Sequence, residues 1–291
     1  LIVGCGDVLA RALPWLSQRF RIYATARSTE AAARLRSLGV VPVAVDLDQR
    51  ISLKRLACLA DWLIHSAPPA NAGKTDQRTR RLVAGLHANR QRKNEILSHP
   101  SAPTRRRAVY ISTSGVYGNG DGAWLDETHP IAPDTDRAQR RASAEHTLRG
   151  WARHQNVQLA LLRAPGIYAA DRLPRTRIER GEPAIQSTED SFTNHIHADD
   201  LAHAICLALF RGKPLRVYNA CDDAPHKMGD WFDTVADHLG LPPPPRVSRA
   251  EAQRVLSPAM LSYLNESRRL KNRRLKEELR VRLQHPTAKL N

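Results

Sequence analysis

Short apolar runs rich in β-branched residues recur along this chain, with helix-patterned stretches between them. The runs fall at residues 1–3, 21–25, 40–45, 62–66, 108–112, 158–162 and 216–219. Helical patterns fill residues 8–20, 28–38, 75–97, 138–154 and 200–210. Ser28 stands at a capping position, Glu30 in the first turn and Gly39 at the end of the second of these helices. Strands alternating with helices at this spacing predict a parallel sheet covered on both faces. With 291 residues and 42% hydrophobic content, the chain has ample material for such a core. After about residue 220 the alternation weakens. Residues 230–240 and 266–280 read as helices, with the stiff run Pro242-Pro243-Pro244-Pro245 between them.

The first run breaks into Gly4-Cys5-Gly6-Asp7-Val8. Gly4 suits a sharp strand-to-helix turn, and Gly6 would let backbone approach a pyrophosphate. Asp7 and Val8 then open a helix whose N-terminus favours that anion. The glycine fingerprint of dinucleotide-binding folds has a third glycine at position 9, where this chain has Leu9. A plain tight turn therefore stays open as the alternative. The order of elements predicts a doubly wound α/β fold, a Rossmann NAD(P)-binding domain over residues 1–220. Residues 165–195 would contribute to a substrate lobe, and residues 221–291 would form a smaller C-terminal lobe.

The remaining cofactor positions follow from strand ends. Arg27 stands after the second strand, where an acid would bind a ribose hydroxyl and an arginine accommodates a 2′-phosphate. That points to NADP(H), with NAD and a simple surface arginine as alternatives. Asp46 and Leu47 after the third strand would meet the adenine edge. Ser66 and Ala67 after the fourth would line the path toward the nicotinamide ribose.

The four cysteines are scattered, without a C-x-x-C pair, which speaks against a zinc site or a disulfide framework and suits a reducing, cytoplasmic setting. No apolar run approaches the ~20 residues a membrane helix needs. The first strand is short and no Met precedes it, so more of that strand is expected upstream. The net charge of +16 raises nucleic acid as a partner. The arginine clusters, such as Arg78-Thr79-Arg80-Arg81 and Arg105-Arg106-Arg107, have few aromatics among them. They read instead as a solvated basic surface.

The fifth strand runs into Ser112-Thr113-Ser114-Gly115-Val116-Tyr117-Gly118, three hydroxyls at a strand end that can bond a substrate oxygen or cap the strand. Asp126-Glu127, Leu162-Arg163-Ala164-Pro165-Gly166-Ile167-Tyr168 and Asn194-His195-Ile196-His197-Ala198-Asp199-Asp200-Leu201-Ala202 follow in order. Together with Gly4-Cys5-Gly6 and Asp46, this series resembles the extended and atypical short-chain dehydrogenase/reductases, the NAD-dependent epimerase/dehydratase group. The resemblance covers nearly the whole chain.

It implies that Thr113 helps hold a substrate oxygen, and that a Tyr and a Lys four residues apart open the helix near residues 137–141. This chain has Arg137 and Arg141 there. A guanidinium stays charged near neutral pH and cannot serve as acid/base. Arg141 can still bond the nicotinamide ribose or a phosphate. Tyr117 is a substitute acid or a packed turn residue. His195, His197, Asp199 and Asp200 raise a metal site, but the resemblance gives this stretch a structural role, so no metal is expected. The helices at 75–97 and 138–154 would pair in a homodimer.

Three functions remain: an epimerase-like oxidoreductase acting on a sugar, nucleotide-sugar or other small carbonyl compound; a non-catalytic NAD(P)-binding sensor or scaffold; and a nucleic-acid-associated protein.

Overall fold

A computed structural model describes residues 1–88 and 106–290. Seven strands form one sheet: β1 (Ile2–Val3), β2 (Tyr23–Ala26), β3 (Val41–Ala44), β4 (Trp62–His65), β5 (Arg107–Thr113), β6 (Gln158–Ala164) and β7 (Arg216–Asn219). Their spatial order is β3-β2-β1-β4-β5-β6-β7. The pairings from β3 across to β5 are all parallel. The strand order reverses between β1 and β4, and the crevice beyond the carboxyl ends at such a reversal is where ligands bind in these folds. This is the doubly wound α/β architecture that the alternation predicts.

The sheet is buried as that architecture requires. Every residue of β6 from Leu159 to Ala164 is buried, an apolar run interrupted only by Arg163, as in a strand covered on both faces. On one face Val3, Leu63, Tyr110, Leu159 and Leu161 pack with Leu53, Leu56, Leu82 and Leu148. Ser28 caps the helix Thr29–Ser37 by accepting the Ala31 N–H at 3.2 Å. The basic helix expected over 75–97 is seen as Gln77–Ala88, and residues 89–97 and Arg105 lie outside the described residues.

The chain divides into two compact units. The first comprises Leu1–Thr113, Asp136–Arg163 and Ala202–Tyr218. The second comprises Ser114–Thr135, Ala164–Leu201 and Asn219–Asn291. The second is built from two-stranded pairs, among them Gly166–Tyr168 with His195–His197 and Trp124–Leu125 with Arg269–Leu270. Tyr168, Ile178, Trp231, Phe232 and Val235 form one of its cores.

The helix expected over 266–280 is not formed. Only Arg273–Glu277 is helical, while Arg269–Leu270 is a strand. The local residues are good helix formers, but long-range bonds override them. Arg268 is buried, paired with Glu266 at 2.6 Å and bonded to the Gly118 carbonyl, and the Ser267 hydroxyl accepts the Phe192 N–H at 3.0 Å. Among the helices that escape the sequence reading are Arg249–Val255 and Pro258–Leu264. Each is capped by a serine, Ser248 and Ser257.

Candidate functional site

The glycine loop lies in the first unit, at the sheet's reversal point. Gly4 has φ +86°, and a Cβ there would sit 2.6 Å from the Ala67 nitrogen and 2.7 Å from its Cα. Only glycine fits both the conformation and the space. The turn is fastened from three sides. Gly4 N–H donates to Thr25 Oγ1 at 3.1 Å, the Ser66 hydroxyl donates to the Gly4 carbonyl, and Ser66 and Ala67 N–H both donate to the Val3 carbonyl at 2.9 and 3.0 Å. Ser66 and Ala67 thus shape the loop directly.

Gly6 differs. It is the N-cap of the helix Asp7–Ser17, has ordinary extended angles, and a Cβ on it would meet nothing within 4 Å. Open space therefore lies at the N-terminus of an eleven-residue helix, whose first N–H groups lack intrahelical acceptors. Asp7 opens the helix and is offset by Arg11, whose Nε lies 3.2 Å from the Asp7 carboxylate. Val8 is half-buried, and Leu9 is buried in the core rather than standing in the mouth. These residues fit a dinucleotide pyrophosphate.

Basic groups flank the loop. Arg34 Nη2 donates to the Cys5 carbonyl at 2.9 Å. Burial pushes the Cys5 thiol up, with Arg34 opposing. Arg27 is exposed at the end of β2. Asp46 folds back on its own loop, its carboxylate taking the Asp48 N–H at 2.9 Å and its backbone held by the Ser52 hydroxyl, while Leu47 is buried. Asp48 is gripped by Arg78 at 2.5 Å and met by Arg81 at 3.4 Å. The Arg78 hydrogen bonds hold the Asp48 carboxyl below its usual range, and the charges of Arg78, Arg81 and Arg27 add to this.

The helix Asp136–His154 places Arg137, Arg141 and Glu145 four residues apart on one face. Arg141 Nη1 donates to the Tyr110 hydroxyl at 3.1 Å and to the Ile111 carbonyl at 3.2 Å. Burial raises Tyr110 to about 12. Glu145 takes the Ser112 hydroxyl at 2.7 Å and a two-pronged bond from Arg163, at 3.0 and 2.8 Å, with both charges buried. Thr113 ends β5, half-buried.

One buried group was not anticipated from the sequence. His65 Nε2 lies 2.8 Å from Thr79 Oγ1, and the Thr79 hydroxyl donates to Asp76 at 2.6 Å. All three are buried. Burial pulls the His65 imidazole down to about 4, with Asp76 opposing. The available signal was Asp76-x-x-Thr79 at the start of a helical pattern, a capping arrangement: Asp76 also accepts the Thr79 N–H at 3.1 Å.

Tyr117 belongs to the second unit. It is buried, and its hydroxyl donates to Asn219 Oδ1 at 2.8 Å. Asn219 is in turn fixed by Glu127 and the Lys271 carbonyl. The Tyr117 proton is thus committed within its own unit. His197, Asp199 and His285 come together in space, with donor atoms within 4.8 Å of one another. The two imidazoles, however, stack face to face at 3.7 Å and 28°. Their in-plane lone pairs run side by side, whereas tetrahedral coordination needs them to converge. Asp199 and Asp200 lie in the first turn of the helix Ala198–Arg211, and Asp200 accepts the N–H groups of Gln284 and His285.

The NAD dependent epimerase/dehydratase family model matches residues 5–221, and the chain belongs to that family. A ketoreductase of Stigmatella aurantiaca, acting by its name on 4-hydroxy-2-methyl-3-oxo-4-farnesyl-3,4-dihydroquinoline-1-oxide, is 26% identical over 235 residues, 76% of this chain. The chain spans 66% of that relative's length, and 34% of that of the bovine dTDP-D-glucose 4,6-dehydratase, to which it is 25% identical over 119 residues, 38% of this chain. Among solved structures, a functionally unknown conserved protein from Silicibacter pomeroyi is 29% identical, with a TM-score of 0.78 over 98% of this chain and 93% of that one. No helix among the described residues is long and apolar enough to cross a membrane.

Proposed function

We propose that this protein binds NADP(H) in its first unit and acts as an epimerase-like oxidoreductase on a sugar, nucleotide-sugar or other small carbonyl compound. The observation that carries this is the pair of unlike glycines. Gly4 is locked by Ala67, while Gly6 is left open at a helix N-terminus. Packing explains the first; a close-approaching anion explains the second. Arg27, with Arg78 and Arg81 around Asp48, supplies the positive charge that a 2′-phosphate needs. The relatives named as a ketoreductase and a dehydratase support carbonyl chemistry on the substrate side.

When bound, the nicotinamide supplies hydride chemistry. The chain's own part is orientation. Gly4, Gly6 and the helix at Asp7 and Val8 hold the pyrophosphate, Asp46 and Leu47 border the adenine, and Ser66 and Ala67 border the nicotinamide ribose. Thr113 bonds the substrate oxygen, and Arg141, a fixed cation, bonds a ribose hydroxyl or substrate anion. Tyr117 can donate a proton only by releasing Asn219.

Arg137 and Arg141 favour a second reading, a non-catalytic NAD(P)-binding sensor or scaffold, because neither guanidinium can exchange a proton near neutral pH. Titration with NADPH and NADH, followed by turnover on a panel of carbonyl compounds and nucleotide-sugars with Thr113→Ala as control, separates the two. Turnover lost in T113A supports the enzyme. Tight NADPH binding without turnover supports the sensor. Preference for NADH overturns the NADP(H) assignment.

A further inference from the structure

A buried chain of polar groups in the first unit leads to Arg141. Asp76 and Thr79 lie at the start of the helix Gln77–Ala88, fully buried. The Thr79 hydroxyl has one proton, and it goes to Asp76 at 2.6 Å. Thr79 Oγ1 must then accept at its 2.8 Å contact with His65, so His65 carries a proton on Nε2, and burial keeps the imidazole neutral. His65 and Tyr110 are register partners on β4 and β5, and their rings lie 5.2 Å apart. The Tyr110 hydroxyl receives Arg141 Nη1 at 3.1 Å. The loop closes through Ser143, two residues beyond Arg141, whose hydroxyl accepts the Asp76 N–H at 3.2 Å.

Apolar side chains would join these helices to the sheet at less cost, since a buried carboxylate and imidazole lose their hydration. What such a set adds, with Asp76, Thr79 and His65 hydrogen-bonded and the His65 ring packed against Tyr110, is a fixed geometry at its end. Here the end is a guanidinium with both Nη1 protons placed, on Tyr110 and on the Ile111 carbonyl. Its other N–H groups are thereby given a set direction.

We propose that Asp76, Thr79, His65 and Tyr110 are positioning residues for Arg141, and that through them the start of the helix Gln77–Ala88 sets how tightly the first unit holds the nicotinamide half of its cofactor. This rests on the NADP(H) reading above. A neutral His65 is part of the design, because a second cation beside Tyr110 would repel Arg141.

The test compares binding of NADPH with binding of 2′,5′-ADP, which lacks the nicotinamide half, in the wild type and in R141Q, T79V, T79S, Y110F and T79V/R141Q. R141Q should weaken NADPH by at least about tenfold and leave 2′,5′-ADP unchanged. T79V and Y110F should weaken NADPH about threefold to tenfold, again without touching 2′,5′-ADP, and T79S should restore wild-type affinity. In the R141Q background T79V should add nothing. A merely structural role would weaken both ligands, or persist in R141Q, and either result overturns the proposal. If T79V fails to fold, Y110F carries the same comparison. Wild-type protein that binds 2′,5′-ADP but gains nothing from the nicotinamide half overturns this inference alone. Wild-type protein that binds neither ligand overturns the cofactor reading and this inference with it.

Discussion

Replacing Gly6 by serine should separate cofactor binding from folding. Gly6 has φ −83° and ψ −167°, angles any residue adopts, and a Cβ there meets nothing within 4 Å. It is also an N-cap without a side-chain bond, and serine is a better N-cap than glycine by a few tenths of a kcal/mol. The apo fold should therefore keep its stability to within about 0.5 kcal/mol, or gain slightly, a melting shift of no more than about 2 °C. The bound state differs, because the new Cβ and hydroxyl occupy the space through which a pyrophosphate reaches the helix N-terminus. Losing two charge-assisted N–H bonds costs at least about 3 kcal/mol. That is somewhat more than a hundredfold in Kd. NADPH fluorescence titration beside urea unfolding measures both quantities. The counter-example is Gly4→Ala, which meets φ +86° and the Ala67 backbone and should destabilise the fold itself by about 2 kcal/mol or more. G6S protein that binds NADPH like the wild type would refute the cradle.

Other outcomes follow from the same geometry. Arg27→Ala should lower NADPH affinity about tenfold and leave NADH affinity unchanged, read as a ratio of two titrations. Arg163→Met strands the buried Glu145 and should cost about 3–5 kcal/mol in urea unfolding. The double variant E145L/R163M should recover more than half of that, and failure to recover would show that the pair itself stabilises. Asp222, buried beside Asp223 and Asp200 with one carboxylate oxygen unbonded among the described residues, is pushed up to about 8, chiefly by burial. Its folded value lies above the ordinary ~3.9, so its contribution is full below about pH 4 and lost as pH rises through 8. Wild-type melting temperature should therefore fall more between pH 5 and pH 9 than that of Asp222→Asn, and parallel curves would remove Asp222 as the cause.

Much of the first unit was legible because its signals are local. A β-branched run, a capping serine such as Ser28 and a glycine needing positive φ each act over a few residues, and the structure repeats them. The carboxyl-end positions of Gly4, Ser66 and Thr113 follow from strand order alone. The segment 266–280 was not legible. Its residues favour a helix, but Arg268 and Ser267 are claimed by partners more than seventy positions away, and Glu266 pairs with Arg268. Tyr117 reads as a candidate acid from its place after a strand, and only the fold shows its proton given to Asn219.

The sequence by itself determined the alternation, and with it a parallel sheet, because hydrophobic period and turn chemistry are properties of neighbours along the chain. It also determined that positions 137 and 141 hold permanent cations. Only the tertiary structure decided what those residues meet. Asp76, Thr79, His65, Tyr110 and Arg141 are spread over residues 65–141 and carry no common motif. They become one connected set, of hydrogen bonds and the His65–Tyr110 ring contact, because β4 and β5 pair in register and two helices pack on the same face, where a buried polar group must find a partner or lose its hydration without return.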